Sequence, residues 1–236
     1  MDRRHFTKIC SSMIIAASAT PTELLAGSIA KDYQHSVLQS SGNEALNANE
    51  LIEGEPYLFF YPYVTTPCLL INLGTEVVNS SAGTEDWAGG VGPEKSIVAY
   101  SAICSHKMTH PAREISFINY RQDPVNFYSH DEDKTIEKSG LISCCSERSV
   151  YDPADGARVL GGPAPQPLAA IALDYDAASG QLIATGSCGA NMYERFFDKF
   201  GFRAALEHKV SDPKKLAGES ALVQKLSDYS RQTIKC

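Results

Sequence analysis

Apolar residues along the middle of the chain come in short runs, rich in β-branched and aromatic types and bounded by Gly, Pro, Asn or Asp. Runs of this kind predict strands. They cover residues 56–61, 68–73, 96–103, 141–143 and 157–160. Residues 114–119 and 125–128 alternate well enough to predict a hairpin, with the charged stretch 131–138 exposed beyond it. Residues 168–173 and 181–185 predict a second hairpin around the Ala-Ser-Gly turn at 178–180. Residues 31–54 are polar and without clear period, which predicts a linker or docking arm. Beyond Gly186 the period changes. Met192, Phe196, Phe197 and Phe200 recur at helical spacing, and Leu216, Leu222, Val223, Leu226 and Tyr229 predict a second amphipathic helix. The sum is a mostly β chain, an antiparallel β-sandwich with a C-terminal α-helical extension over 189–236.

Composition narrows the partners. A chain of 236 residues that is 43% hydrophobic can bury one good core. A net charge of -7 and a pI near 5.4 argue against nucleic acid and anionic lipid surfaces, and suit a basic electron-transfer partner. The start of the chain has Arg3-Arg4 followed by Phe6 and an apolar run over 9–19, the pattern of a twin-arginine export signal occupying residues 1–30. That run is too short to span a bilayer, and Ala17-Ser18-Ala19 and Ser28-Ile29-Ala30 are both cleavage candidates. The expected location is the periplasm. Asn79-Ser80-Ser81 fits a glycosylation sequon, which such an export route makes a chance match.

Cysteines stand at 10, 68, 104, 144, 145, 188 and 236, without a secreted-scaffold spacing, and predict no disulfide framework. Cys68 and Cys188 read as inert buried thiols and Cys236 as an exposed terminal one. The chemistry concentrates in residues 101–165. Cys104-Ser105-His106 is followed by Cys144-Cys145-Ser146-Glu147-Arg148-Ser149-Val150-Tyr151-Asp152 and then by Gly161-Gly162-Pro163-Ala164-Pro165. A Cys-x-His pair and a second Cys-bearing loop supply what an iron-sulfur cluster with a His-ligated iron requires. Soft thiolates hold ferric iron, and a neutral imidazole lowers the negative charge of the centre and raises its potential.

On these residues the chain resembles the Rieske family over roughly 55–187. Gly89-Gly90-Val91-Gly92-Pro93 and the strand 96–101 are similar to the run before the first loop in arsenite oxidase small subunits. The resemblance implies a Rieske-type domain at 55–188 with an inserted cluster-binding subdomain and a 2Fe-2S cofactor. It implies Cys104 and His106 as ligands on different irons. Ser149 and Tyr151 would be hydroxyl donors to cluster and cysteine sulfurs, and Gly162 and Pro163 part of a lid.

The second loop departs from the family pattern Cys-Pro-Cys-His-Gly-Ser. In one register Cys144 is the ligand and the His position falls on Glu147; in the other, Cys145 is the ligand and the position falls on Arg148. A three-Cys, one-His set using both Cys144 and Cys145 is a third option, and His110 a further candidate. The cysteines that the family pairs between its loops align with Thr109 and with Ser146 or Glu147, so that brace is absent.

The resemblance implies an electron-transfer subunit with no catalytic residue of its own. It would relay single electrons to or from a larger oxidoreductase subunit or a c-type cytochrome, in a complex that can be membrane-bound. The alternative is a structural subunit of a redox complex that has lost its cluster, with Cys104 joined to Cys144 or Cys145. A mononuclear zinc site on Cys104, His106 and a later Cys is the third class. A ring-hydroxylating oxygenase is disfavoured, because the chain has no room for a separate two-His, one-carboxylate iron domain.

Overall fold

The structure, a computed structural model, describes residues 30–79, 87–189 and 191–236. The export-signal segment, apart from Ala30, and Ser80-Ser81 of the sequon lie outside them. The centre of the fold is three antiparallel strands, β2 (Pro56–Phe60), β3 (Pro67–Asn72) and β4 (Ile97–Ser101). Leu58, Leu69, Ile71, Val98 and Tyr100 face one core and Tyr57, Phe59, Cys68, Leu70 and Ala99 the other. Both faces are covered, which is why these runs read as continuously apolar rather than alternating.

β11 (Ala170–Asp176) and β12 (Gln181–Cys188) form the expected hairpin and extend the sheet from β4. β1 (Lys31–Gln39) then pairs with β12, and with β13 (Ser220–Leu222) in parallel; β14 (Gln224–Lys225) pairs with β2 at the opposite edge. The order is β13-β1-β12-β11-β4-β3-β2-β14. Its two edge strands are separated in sequence by Val223 alone, so the sheet curls until its edges meet around the second core. Closure of this kind leaves little edge open to another chain.

Three expectations need correction. Residues 31–54 are not a free arm: they carry β1 and a 3-10 turn at Ala48–Glu50 whose Leu46, Ala48 and Leu51 are buried. β1 escaped notice because, of its outward-alternating residues, only Ser36 and Leu38 are buried. The second amphipathic helix is β13, β14 and a single helical turn, α2 (Leu226–Tyr229). Leu216 and Leu222 are exposed, and pairing with β1 and β2 offers the backbone a better partner than an isolated helix would. The 114–119/125–128 hairpin is also re-partnered. β6 (Val125–Ser129) pairs instead with β7 (Lys134–Lys138), in which only Ile136 is turned inward, while β5 (Ile118–Arg121) pairs with β8 (Leu141–Cys144).

β8 also pairs with β9 (Ser149–Asp152), and β9 with β10 (Arg158–Gly161), giving a second sheet ordered β10-β9-β8-β5. Ile118, Tyr120, Ile142, Cys144 and Tyr151 on its inner face meet the large sheet in one core; Leu141, Val150 and Leu160 on its outer face are capped by Val125 and Phe127 of β6. α1 (Tyr193–His208) is the expected helix. Its Tyr193, Phe196, Phe197 and Ala204 pack on Ile103 and Met108, just behind the first cysteine loop. No helix among the described residues is long and apolar enough to cross a membrane.

Candidate metal centre

The end of β4 and the β8–β9 turn bring the two cysteine loops together. After β4 the chain folds back tightly: Cys104 N–H donates to Thr109 O (2.8 Å) and Met108 N–H to Cys104 O (2.9 Å). Met108 adopts a left-handed φ of 62° and buries its side chain under α1, which anchors the loop. Cys144 ends β8 directly opposite Ser149 of β9, and the turn between them closes through Arg148 at φ 61°.

Both thiols are buried, and each perturbs the ionisation of the other. The neighbouring Cys144 thiol, with help from the Tyr151 hydroxyl and the His106 and Lys107 amides, outweighs burial and holds the Cys104 thiol below the usual range. The same pairing, with burial, pushes Cys144 up. The pair therefore sheds one proton readily and keeps the other. Tyr151 Oη lies 3.3 Å from Cys104 Sγ and 3.4 Å from Ser105 Oγ; burial foremost, then the neighbouring Cys104, raises its own pKa, so it remains a hydroxyl donor.

A second pair of donors stands beside the thiols. His106 Nδ1 is 3.0 Å from Glu147 Oε2. The two atoms are close but not aligned as donor and acceptor, so Nδ1 is buried without a hydrogen-bond partner. The other carboxylate oxygen of Glu147 meets the Lys107 ammonium.

The third loop lies over the second. Gly162, at φ 81°, packs so closely that a Cβ there would fall 2.2 Å from Arg148 O and 2.7 Å from Ser149 Cα. Ser105 Oγ donates to Gln166 O (2.7 Å), tying loop one to loop three. Pro163 is exposed on that loop. Ser149, on the same face of β9 as Tyr151, is buried with its hydroxyl lacking a hydrogen-bond partner.

Three candidates are placed elsewhere. Cys145 is joined in a disulfide to Cys236, with Cα atoms 5.5 Å apart across 91 residues of sequence. This corrects the expectation of no disulfide and of a free terminal thiol. One signal was available: with Cys10 assigned to the leader, the remaining cysteines are even in number. The tail that delivers Cys236 runs beside β5 and the residues just before it, with Ile234 N–H donating to Ser116 O (2.9 Å) and Asn119 Nδ2 to Ile234 O (2.9 Å). Arg148 is exposed and lines a cavity of about 560 Å³ with Ser143, Val150 and Phe127, on the outer side of the small sheet. His110 stacks edge-on against Phe196 and Phe200 at 4.9 Å, its Nδ1 bonded to Met108 O at 2.8 Å, within the cluster beneath α1.

Among the described residues, no three His, Cys, Asp or Glu side chains converge as a single mononuclear ion would require. The donors stand in two twos, Cys104 with Cys144 and His106 with Glu147. A mostly β domain presenting a paired Cys/His site on two loops is the class the residues define. No family model matches the chain. Among solved structures the chain is similar to the soluble domain of the Rieske protein II (soxF) from Sulfolobus acidocaldarius, at 27% identity and a TM-score of 0.45, over 66% of this chain and 78% of that one.

Proposed function

We propose that the protein is an exported electron-transfer subunit holding a Rieske-type 2Fe-2S cluster between its two cysteine loops. The observation that carries this reading is the pairing of donors. A 2Fe-2S centre has two protein ligands on each iron, in Rieske centres two thiolates on one and two nitrogens on the other. Cys104 and Cys144 supply two neighbouring buried sulfurs, one of them poised to lose its proton, and His106 presents a buried ring nitrogen that makes no hydrogen bond. When bound, the cluster would supply one-electron exchange at a potential set by its ligands and hydrogen bonds.

The surrounding residues suit that group. The orphaned Ser149 hydroxyl, buried beside Cys144, needs an acceptor that the protein does not provide, and an inorganic sulfide would be one. Tyr151 donates toward Cys104 Sγ, and both hydroxyls would favour the more negative, reduced state. Gly162 packs the third loop tightly on Arg148 and Ser149 of the second, while Met108 under α1 fixes the first. The Arg3-Arg4 leader supports export after folding, and the net charge of -7 supports a basic acceptor such as a c-type cytochrome, or docking on a larger oxidoreductase subunit.

One observation favours the alternative of a cluster-free structural subunit: Glu147 already meets His106 and Lys107, contacts that hold the loops without metal. Iron and acid-labile sulfide content of protein matured with cluster assembly intact decides between them. About two of each per chain, with an EPR signal on dithionite reduction, supports the carrier. Absence of iron under those conditions refutes it in favour of the structural subunit.

A further inference from the structure

Resting on the iron-sulfur reading above, we infer that Glu147 is the fourth protein ligand, sharing the second iron with His106, and that Lys107 supplies the positive charge that offsets it. The disulfide removes Cys145 from competition. Arg148 faces a cavity on the outer side of the small sheet, and a guanidinium is a donor-only group without a lone pair to offer a metal. His110 is committed to the aromatic cluster under α1. Glu147 alone among these candidates reaches the imidazole.

The contact itself has the form of two ligands of one metal rather than of a salt bridge. His106 Nδ1 and Glu147 Oε2 are 3.0 Å apart, yet Nδ1 makes no hydrogen bond. Two donors each 2.0–2.1 Å from a tetrahedral first-row metal stand about 3.3 Å apart, close to the observed spacing. A carboxylate is a harder and more negative ligand than imidazole, and would depress the potential if left unbalanced. The Lys107 ammonium on the far carboxylate oxygen restores the charge that a second neutral imidazole would give. Lys107 is itself held in place, since its carbonyl accepts from Lys199 Nζ of α1 at 3.1 Å.

The test counts nitrogens. Pulsed EPR of the reduced full-length protein should show one strongly coupled ¹⁴N in the wild type and two in Glu147→His, which should keep its iron and rise in potential. Glu147→Ala should lose at least half its iron, and Lys107→Ala should keep iron and fall in potential. Two coupled nitrogens in the wild type, or a Glu147→Ala protein with unchanged iron and spectrum, would overturn the assignment while leaving the electron carrier intact. A wild-type protein without iron fails the earlier reading instead. The wild-type count requires no variant to fold.

Discussion

Removing the Cys145–Cys236 disulfide should destabilise the apoprotein by several kcal/mol without changing its fold. The crosslink spans 91 residues, and the chain-entropy expression gives about 4.6 kcal/mol at 25 °C for a loop of that length. Measured values for native disulfides run at roughly 2–5 kcal/mol, so the calculated figure sits near the top of that range. The folded state keeps its other tail contacts: Ser116 N–H to Gln232 O (2.8 Å), Ile234 N–H to Ser116 O (2.9 Å) and Arg121 Nη1 to Cys236 O (3.0 Å). The loss therefore acts mainly through a freer unfolded chain. Guanidinium melts of Cys145→Ser/Cys236→Ser against wild type are the assay. The expected result is a lower midpoint, a native circular dichroism spectrum, and faster amide exchange at Ile234 and Ser116. A stability change under about 1 kcal/mol, with the crosslink verified in the wild type, would refute the chain-entropy account.

Two further predictions follow from local geometry. Gly162→Ala should cost about 2 kcal/mol or more, combining left-handed backbone strain with a Cβ placed 2.2 Å from a carbonyl oxygen; Gly140→Ala, at φ 72° with its nearest atom 3.6 Å away, should cost only about 1 kcal/mol. Thermal melts of the pair test this, and equal costs would sink it. Burial lowers the pKa of His110, against the Met108 carbonyl and Glu207, which raise it, and with Arg203, which lowers it further. The folded state therefore binds fewer protons than the unfolded one. Its contribution is complete above the unfolded pKa of about 6.5 and declines as pH falls, by at most about 1.4 kcal/mol per unit. Urea melts between about pH 5 and 7 should show this slope flattened in His110→Gln; His208, also lowered by burial, keeps part of it. An unchanged slope contradicts the assignment.

How much was legible in the sequence depended on how local each signal was. β2 and β3 could be read because two covered faces make nearly every residue apolar, Asn72 at the end of β3 excepted. β1 and β7 could not, since few of their side chains turn inward and most of their residues are polar. Cys104 and His106 stand on one loop, so their spacing alone announced them. The choice between Cys144 and Cys145 could not be made locally. It depends on the Cys144 to Ser149 register of the β8–β9 pair and on a cysteine at the far end of the chain. Glu147 was visible as a substitution in a motif. That its carboxylate meets His106 rather than water is a property of the loop packing.

The same packing bears on how the loops are joined. The family this chain resembles braces its two loops with a disulfide, and the corresponding positions here include Thr109. In this protein the Thr109 carbonyl takes the Cys104 amide within loop one, and Glu147 spans from loop two to His106 and Lys107. Such a hydrogen bond contributes about 1 kcal/mol and a half-exposed ion pair 0–1 kcal/mol, against roughly 2–4 kcal/mol for a disulfide. The disulfide of this protein lies on the outer side of loop two, where it ties Cys145 to the C-terminal tail. Loop two is thus fixed to the scaffold and loop one to α1, while only weak contacts join the loops to each other.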